Sequence, residues 1–406
     1  MSNVPAATET TPTSSDDPAQ AAPPRAAEPA DAFRAWTVRT ELPVSFLIKR
    51  SPDIFHPENL DLLRVGPLVA GSRRLIVVDA VVAKIYGHRI EAYFDHHSLH
   101  CEILPVDAGE INKSPETLFE VMGRMESFGI LRRSEPLIVV GGGVVLDVAG
   151  LAASLYRRGV PYVRVPTTLM AMVDASVGAK SAVNCFDRRN RVGAYYPPTA
   201  VYIDNTFVIS QEPREISNGA GEILKMAVVR DLALFELLEE HAHSLILGKF
   251  QGRGAPIQVM DLAVGDMIEE LQPNLWERNL ERLVDFGHSF SPLVEMRALP
   301  ELLHGEAVAL DVLFSCVLSH QRGLLSRAEL ERVFAAARSL GLPIFHPLFG
   351  DDEVLAEALA DTVRHRNGSQ NLPLPTAIGT SVFANDITFN EIRLAARSFR
   401  GYSQRL

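Results

Sequence analysis

The stretch PLIVVGGGVVLDVAG, residues 136–150, runs from an apolar segment through three consecutive glycines into a second apolar segment. The first segment is typical of a buried strand, and the second is typical of a helix that packs on that strand. Glycines at such a turn let the backbone approach a phosphate closely, and the helix N-terminus supplies N–H donors and a positive dipole end. The spacing is not G-x-G-x-x-G, so a standard Rossmann fingerprint is absent. A tight turn without a ligand remains the alternative.

Apolar runs on both sides of this stretch extend the pattern. Residues 74–80, 100–106 and 162–169 are rich in aliphatic side chains and are predicted to be strands. Residues 114–130 have a serine at the N-cap position and apolar residues at helical spacing, which predicts a helix. Because strands alternate with helices and the strands are continuously apolar, we expect a parallel sheet that is covered on both faces.

Helical periodicity dominates the sequence after about residue 206. We therefore expect an α/β nucleotide-binding domain over residues 36–205 and an all-α domain over residues 206–406, with a ligand cleft between them. Residues 1–35 are rich in Ala, Pro, Thr, Ser and Asp, so this N-terminal extension is predicted to be disordered. It lacks the basic start and the apolar core of a signal peptide.

The composition of the 406-residue chain argues against several classes of partner. A net charge of −11 disfavours nucleic acid and anionic membranes as partners. The most apolar stretch is interrupted by an aspartate and by glycines, so no membrane span is predicted. The three cysteines are far apart and show no C-x-x-C spacing, which fits a reducing cytoplasm better than a disulfide framework.

Polar residues follow several of the predicted strands and are candidates for binding a nucleotide. Asp79 ends one strand, where its carboxylate can accept hydrogen bonds from ribose hydroxyl groups. Parallel strands end at the same edge of a sheet, so polar residues after successive strands are expected to lie close together. Each of them alone is equally well explained as a surface-loop residue or a helix cap. The other candidates are Glu110, Lys113, Thr167, Thr168, Asp174 and Lys180.

Two histidines beside glycines are candidates for metal binding: His288 in DFGHSFSP and His304 in HGEAVALD. Neutral imidazole nitrogen and carboxylate oxygen are ligands that Zn²⁺ and Co²⁺ accept, and a catalytic site keeps a coordination position open. Glu222 is a third candidate ligand, and Lys225 faces the same side of its predicted helix. The alternative is that the histidines are hydrogen-bonded core residues.

Seven motifs follow one another between about residue 74 and about residue 380: GExxKSxET, GGGVVLDVAG, RGVPYVRVPTTLMAMVDASVGAKSAVN, NRVGAYYPP, NGAGEILK, DFGHSF and HGEAVA. In this order they resemble the sugar phosphate cyclase superfamily, whose best-known member is 3-dehydroquinate synthase. The resemblance implies a Rossmann-like α/β domain followed by an all-α domain, usually in a homodimer. It also implies NAD⁺ as a cofactor together with a divalent metal, Zn²⁺ or Co²⁺.

The resemblance further implies roles for individual residues. Glu222, His288 and His304 match the metal ligands of the family, and Arg158 matches an arginine that reaches the active site of the neighbouring subunit. The residues implied to act in catalysis or to contact the substrate are Lys180, Lys225, Asp285, His365, Asp174, Asn190, Arg158 and Leu271. The residues implied to bind NAD⁺ are Asp79, Glu110, Lys113, Gly141, Gly142, Gly143, Asp147, Thr167, Thr168, Asp174, Lys180 and Arg189.

Four positions depart from the pattern of dehydroquinate synthases. Those enzymes carry Asn at the position of Asp285, His at that of Pro292, Arg at that of Glu281 and a Lys near Met267. The missing groups suit a substrate with a carboxylate, which the glutamate would repel in a partly desolvated site. The departures therefore disfavour 3-deoxy-arabino-heptulosonate 7-phosphate and favour sedoheptulose 7-phosphate, which has no carboxylate.

The trio Leu271, Asp285 and His365 resembles the branch of sedoheptulose 7-phosphate cyclases that forms 2-epi-5-epi-valiolone. The 2-epi-valiolone branch remains the alternative, followed by 3-dehydroquinate synthesis and by a metal-dependent polyol dehydrogenase of the same fold. The implied reaction oxidises a secondary alcohol with NAD⁺, eliminates phosphate, returns the hydride, opens the ring and closes a carbocycle by an aldol step. A helix N-cap for Asp285 and a surface position for His365 remain alternatives.

Overall fold

The computed structural model describes residues 35–66, 71–186 and 188–405. Residues 35–43 are exposed and form no helix or strand in this described part of the chain. The disorder predicted for the N-terminal extension thus falls almost entirely outside the described residues. Val44–Leu406 form a compact unit. The predicted domain boundary after residue 205 lies within this unit and stays a prediction.

A parallel sheet forms the framework of the first half of the described chain. The strands of this half are β1 (Leu47–Arg50), β2 (Arg73–Asp79), β3 (His100–Val106), β4 (Leu137–Gly141), β5 (Tyr162–Pro166), β6 (Lys180–Cys185), β7 (Arg188–Tyr195) and β8 (Ala200–Ile203). Six of them pair in the order β1-β8-β5-β4-β2-β3, and every pair is parallel. Strands β6 and β7 form a separate antiparallel hairpin. The four strands predicted from the sequence, β2 to β5, are confirmed.

Helices cover both faces of the sheet, as predicted. The helices of the first half are α1 (Ala80–His96), α2 (Pro115–Phe128) and α3 (Gly143–Leu155). Side chains alternate along a strand, so Leu75 and Val77 of β2 pack on α2 and α3. Ile76 and Val78 point to the opposite face and join the larger cluster, which contains α1 and the helices of the second half.

The second half is mostly helical, as predicted, with one exception. Its helices are α4 (Pro213–Val229), α5 (Leu232–Leu247), α6 (Ala255–Leu271), α7 (Ser291–Ala298), α8 (His304–Gln321), α9 (Arg327–Ser339), α10 (Asp352–His365) and α11 (Phe389–Arg405). The exception is an antiparallel pair, β9 (Leu372–Ala377) and β10 (Thr380–Ala384), which the prediction of an all-α domain did not include. The two strands are short and β9 contains two prolines, so the sequence showed no alternation of apolar and polar residues that would predict a strand. Within the described ranges, none of the helices combines the length and the apolar character that a bilayer crossing requires.

Helices α4 and α8 approach each other very closely at Gly221 and Gly305. A methyl group on Gly221 would overlap the carbonyl oxygen of Gly305, and a methyl group on Gly305 would overlap the carbonyl oxygen of Asn218. The Asn218 side chain accepts a hydrogen bond from the Gly305 N–H at 2.6 Å. Because Glu222 and His304 are the chain neighbours of these two glycines, the close contact brings both side chains to one place.

Gly305→Ala should force α4 and α8 apart, because the added methyl group overlaps the backbone of Asn218. We expect the free energy of unfolding to fall by about 1–3 kcal/mol, the usual cost of overpacking, as measured by chemical denaturation. Gly123→Ala is the matched control: Gly123 lies within α2, and a methyl group there would meet no other described atom within 4 Å. This control should gain about 0.5–1 kcal/mol from helix propensity. If Gly305→Ala were as stable as the wild-type protein, the close contact between α4 and α8 would be contradicted.

Candidate active site

Three side chains that are distant in sequence meet next to the contact between α4 and α8. Glu222 lies on α4, His288 lies in the loop before α7, and His304 is the first residue of α8. The Nε2 atoms of His288 and His304 lie 3.6 Å and 3.3 Å from Oε1 of Glu222. One candidate ligand atom from each residue lies within 4.8 Å of the other two. The structure therefore brings together the metal-binding trio predicted from the sequence.

The carboxylate of Glu222 has the properties expected of a metal ligand. Glu222 is 1% exposed, and neither of its oxygens has a hydrogen-bond partner among the described residues. Lys225 Nζ lies 2.6 Å from Oε2 as an ion pair, without the angles of a hydrogen bond. A buried carboxylate oxygen without a hydrogen-bond partner is costly, and Lys225 approaches only Oε2, which leaves Oε1 facing the two imidazoles. One carboxylate and two imidazoles are a donor set that fits Zn²⁺ or Co²⁺.

Each of the two imidazoles is oriented by a partner on its other nitrogen. Nδ1 of His304 lies 3.0 Å from Oε2 of Glu295 on α7, and Nδ1 of His288 lies 3.1 Å from the carbonyl oxygen of Phe286. Both contacts favour a proton on Nδ1, which leaves Nε2 free to bind a metal, and such outer partners are typical of metal-binding histidines. Glu295 was not predicted from the sequence, because it belongs to none of the motifs.

The electrostatics of the two histidines differ. Burial lowers the pKa of His288 to about 4. Burial acts on His304 in the same direction, but the carboxylates of Glu295 and Glu222 outweigh it and raise the pKa of His304 to about 9. Burial alone would raise the pKa of Glu295, but His304 and Arg189 outweigh burial and lower it to about 2. The carboxylate of Glu295 therefore stays ionised at neutral pH and keeps its contact with Nδ1 of His304.

Asp311 on α8 fixes the loop that carries His288. Asp311 is fully buried, and its carboxylate accepts hydrogen bonds from the backbone N–H groups of Ser289, Phe290 and Ser291 at 2.6–2.9 Å. Burial raises the pKa of Asp311 to about 6, although the three N–H groups favour its charged form. Because these N–H groups follow His288 directly in the chain, Asp311 limits where the imidazole can lie.

The glycine turn lies at the carboxyl end of β4, where the strand order of the sheet changes direction between β2 and β4. Nucleotides bind at such switch points in parallel sheets. A methyl group on Gly141 would lie 3.3 Å from Cβ of Asp79, and one on Gly142 would lie 3.1 Å from Cγ2 of Thr168. Helix α3 begins at Gly143, directly after the turn. The structure therefore brings these five predicted nucleotide ligands together at this edge of the sheet.

Several of the predicted nucleotide ligands contact other residues of the chain itself. Lys113 Nζ lies 2.6 Å from Oδ2 of Asp147 on α3. Asp79 caps α1, because its Oδ1 accepts a hydrogen bond from the Val81 N–H at 2.8 Å. The Thr167 hydroxyl is buried and has no hydrogen-bond partner within the described chain, as expected of a group that awaits a ligand.

Arg189 in the hairpin β6–β7 connects the predicted nucleotide ligands with the metal-binding trio. Its Nε lies 2.9 Å from Oε1 of Glu110, and its Nη1 contacts the carboxylate of Glu295. The same Nη1 lies 3.4 Å from Nδ1 of His304. Asn184, which was not predicted from the sequence, donates a second hydrogen bond to Glu110 at 2.8 Å. One continuous network of contacts therefore runs from Glu110 to His304.

Two of the predicted substrate residues flank the metal-binding trio, and a third lies on an adjacent helix. Lys225 is 1% exposed, and its Nζ lies between Glu222 and Asp174, at 2.6 Å and 3.9 Å from their carboxylates. Burial lowers the pKa of Lys225, but the two carboxylates outweigh burial and raise it, so the ammonium group stays charged. Leu271 ends α6, and a methyl group on Gly178 would lie 3.4 Å from its side chain.

Three other predicted substrate residues are more exposed. Lys180 has an exposed side-chain fraction of 57% and forms an ion pair with Glu277. Asn190 is exposed and has a left-handed φ of +52°, and its N–H donates to Oδ1 of Asn184 at 2.9 Å. Arg158 is exposed on a left-handed turn. Its predicted reach into a neighbouring subunit stays a prediction, because the structure contains one chain.

Asp285 is held by arginines, which the sequence did not predict. Nη2 of Arg282 lies 2.7 Å and 2.8 Å from the two carboxylate oxygens, and Nε of Arg366 lies 3.5 Å from Oδ2. Burial alone would raise the pKa of Asp285, but the two arginines outweigh it and lower the pKa below its usual range. Asp285 ends a short 3₁₀ turn rather than beginning a helix, so the N-cap alternative is wrong.

The structure shows the surroundings of three further residues that the sequence argument used: Glu281, Pro292 and His365. Glu281 is exposed, and the neighbouring Arg282 points into the site instead, so the repulsion argued from Glu281 has no geometric support. Pro292 lies in the first turn of α7, where a missing N–H has no cost. His365 has an exposed side-chain fraction of 53% at the end of α10, which agrees with the surface alternative; its catalytic role stays a prediction.

Comparison with known proteins identifies the family. Residues 103–218 match the family model of the 3-dehydroquinate synthase N-terminal domain, and residues 219–365 match that of its C-terminal domain. The chain belongs to the 3-dehydroquinate synthase family. The resemblance inferred from the seven motifs is therefore confirmed.

Close relatives within this family share one activity. The chain is 49% identical to a 2-epi-5-epi-valiolone synthase from Streptomyces albus, over 90% of this chain and 90% of the relative. It is also 49% identical to a 2-epi-5-epi-valiolone synthase from an Actinoplanes species, over 90% of this chain and 94% of the relative. A solved structure of such a synthase from Streptomyces hygroscopicus subsp. jinggangensis 5008, with NAD⁺ and Zn²⁺ bound, matches with a TM-score of 0.87 and 48% identity, over 90% of this chain and 100% of that chain.

Glu295→Gln should weaken metal binding, because an amide holds the Nδ1 proton of His304 less strongly than a carboxylate does. We expect the affinity for Zn²⁺ to fall by about 10–100-fold, the usual effect of removing such an outer partner. Competition with a chromogenic chelator measures this affinity. Glu357→Gln is the matched control, because Glu357 forms an exposed ion pair with Arg297 of the same helix, α7. Unchanged Zn²⁺ affinity in Glu295→Gln would contradict the orienting role.

Proposed function

We propose that this protein is a sedoheptulose 7-phosphate cyclase that forms 2-epi-5-epi-valiolone and releases phosphate. The observation that carries the proposal is the meeting of Glu222, His288 and His304 around an unsatisfied carboxylate. Through Glu295, Arg189 connects this trio with Glu110, a predicted nucleotide ligand. The proposal is supported by relatives that are 49% identical over most of both chains and are 2-epi-5-epi-valiolone synthases.

The residues present fit NAD⁺ and a divalent metal, which are bound in the similar solved structure. Glu222, His288 and His304 would hold the metal. Asp79 and the glycine turn 141–143, which leads into α3, would hold the dinucleotide. When bound, NAD⁺ would supply a reversible hydride acceptor for a substrate alcohol, and the metal, Zn²⁺ or Co²⁺, would supply a Lewis acid for the oxygen of that alcohol.

The chain's own residues would position the sugar phosphate and its charges. Lys225 is a buried ammonium group beside Glu222, so it can donate a hydrogen bond to an oxygen that becomes negative during the reaction. Lys180 is an exposed cation at the start of β6, so it can bind the phosphate by charge-assisted hydrogen bonds. Asp174 accepts from substrate hydroxyl groups in this proposal, and the helices around the trio exclude water.

The product assay tests the proposed function. Sedoheptulose 7-phosphate, NAD⁺ and Zn²⁺ incubated with the protein should yield 2-epi-5-epi-valiolone and one phosphate per turnover, as identified by NMR. No NADH should accumulate, because the hydride is returned in each turnover. Metal-stripped protein is the control and should be inactive. Formation of 2-epi-valiolone would select the alternative product, and steady accumulation of NADH from a simple alcohol would identify a polyol dehydrogenase instead.

We also propose a cytoplasmic homodimer in which Arg158 completes the active site of the partner subunit. Homodimers of Arg158→Ala and of His288→Ala should each be almost inactive. Mixed dimers should regain one working site, which pairs an intact metal trio with an intact arginine from the other subunit. Random pairing then predicts about a quarter of wild-type activity, measured as phosphate release after co-expression. No recovery, with mixed dimers demonstrated by affinity tags, would contradict the shared site.

A further inference from the structure

The hairpin β6–β7 carries three of the predicted ligands but is not part of the six-stranded sheet. Lys180 begins β6, and Arg189 and Asn190 lie on β7. In the described part of the chain, β6 and β7 pair only with each other. The position of these ligands relative to the sheet therefore depends on contacts other than strand pairing.

Arg164 on β5 supplies such contacts at the start of the hairpin. Its Nη1 donates hydrogen bonds to the carbonyl oxygens of Ser176 and Gly178 at 3.2 Å and 2.5 Å. Its Nη2 donates to the carbonyl oxygen of Lys180 at 2.8 Å and to Oγ of Ser181 at 3.2 Å. One guanidinium group therefore joins the stretch 176–181 to the sheet.

The guanidinium group of Arg164 is buried, and the oxygen atoms that it contacts are uncharged. Arg164 is 0% exposed, and its Nε has no hydrogen-bond partner among the described residues. A buried cation is costly unless polar groups compensate it. Residues 176–179 form neither helix nor strand, so their carbonyl oxygens need donors from elsewhere. The buried charge and the irregular stretch therefore stabilise each other.

Tyr162, two residues before Arg164 on β5, holds the other end of the hairpin. Its hydroxyl donates a hydrogen bond at 2.8 Å to the carbonyl oxygen of Tyr196, the residue after β7. The rings of Tyr162 and Tyr196 are stacked, with their centroids 5.7 Å apart. Residues two apart on a strand point to the same face. One face of β5 therefore fixes both strands of the hairpin at its base.

The stretch held by Arg164 lies between two residues that the proposed function assigns to the substrate. Asp174 precedes it, and the Asp174 carboxylate lies 3.9 Å from Nζ of Lys225, which also pairs with Glu222 of the metal-binding trio. Lys180 lies near its other end. The carbonyl oxygen of Lys180 is held by Arg164, whereas the Lys180 side chain is 57% exposed. Arg164 thus fixes the backbone of Lys180 without contacting its ammonium group.

We propose that Arg164 is a positioning residue, which fixes where the phosphate-binding Lys180 lies relative to the metal-binding trio. This inference rests on the proposed function, in which Lys180 binds the phosphate, and adds the group that places Lys180. Because Arg164 is fully buried, it acts through the stretch 176–181 and not by touching the substrate. Arginine suits this role because its planar fork presents donors on separate nitrogens at fixed geometry, whereas lysine has one nitrogen.

Arg164→Met tests this role, because methionine removes the donors without leaving a buried charge. With saturating NAD⁺ and Zn²⁺, the KM for sedoheptulose 7-phosphate should rise by about 10–100-fold, the usual effect of losing a charge-assisted hydrogen bond to the phosphate. The change in kcat should be smaller, because Lys180 binds the phosphate before and during the reaction. A merely structural defect would lower the amount of folded enzyme, and hence kcat, without raising KM. The affinity for Zn²⁺, measured by chelator competition, should not change.

Arg74→Met is the matched control. Arg74 is also 0% exposed, and its guanidinium group donates to the carbonyl oxygens of Arg73 and Val65. It lies near the start of β2, at the end of the strand opposite to Asp79. Both variants should unfold at a lower temperature than wild-type protein, but Arg74→Met should keep the wild-type KM. A wild-type KM in Arg164→Met would overturn the proposal.

Hydrogen exchange tests the same contacts without turnover. In the wild-type chain loaded with NAD⁺ and Zn²⁺, the amides of residues 176–181 should exchange slowly. In Arg164→Lys, which keeps the charge on a single nitrogen, they should exchange about tenfold faster, while the amides of α4 and α8 stay unchanged. The KM of Arg164→Lys should also rise. Fast exchange of this stretch in wild-type protein, or a wild-type KM in Arg164→Lys, would overturn the proposal even if Arg164→Met does not fold.

The two proposals fail in distinguishable ways. A protein that does not turn over sedoheptulose 7-phosphate would reject the proposed function, and hydrogen exchange would still decide whether Arg164 fixes the stretch 176–181. A protein that forms the carbocycle, but whose Arg164 variants keep the wild-type KM, would keep the proposed function and reject the role of Arg164.

Discussion

The close contact between α4 and α8 is the constraint on which the candidate active site depends. It is possible only because Gly221 and Gly305 lack side chains, and each glycine is the chain neighbour of a candidate ligand, Glu222 or His304. Metal–ligand bonds tolerate only small errors in distance, so two ligands from different helices need backbones held at a fixed spacing. The glycines of the two motifs thus have a packing role that their position beside acidic and imidazole side chains does not reveal.

Much of the fold and the core of the site could be predicted from the sequence, because the deciding features are local. Strands β2 to β5 are short, continuously apolar runs, and Ser114 caps α2 by accepting a hydrogen bond from the Thr117 N–H. The trio Glu222, His288 and His304 was predicted because few residue types bind zinc and because the motifs around them are specific.

The parts that could not be predicted depend on contacts between distant segments. Glu295 lies outside the motifs and Asp311 ends the stretch HGEAVALD, and only the folded chain shows which polar groups these two carboxylates contact. The sequence also could not show whether the side chain of Glu281 or that of Arg282 points into the site. Both residues precede a 3₁₀ turn in an irregular segment, where no hydrophobic periodicity distinguishes inward from outward positions.

The position of Arg189 has a thermodynamic consequence. This guanidinium group contacts Glu110 on the nucleotide side and Glu295 on the metal side, so one side chain belongs to the surroundings of both ligands. If occupation of one side shifts the group, the free energy of binding on the other side changes too. Reciprocity then requires equal effects in both directions: whatever factor the dinucleotide imposes on affinity for the ion, the ion imposes on affinity for the dinucleotide.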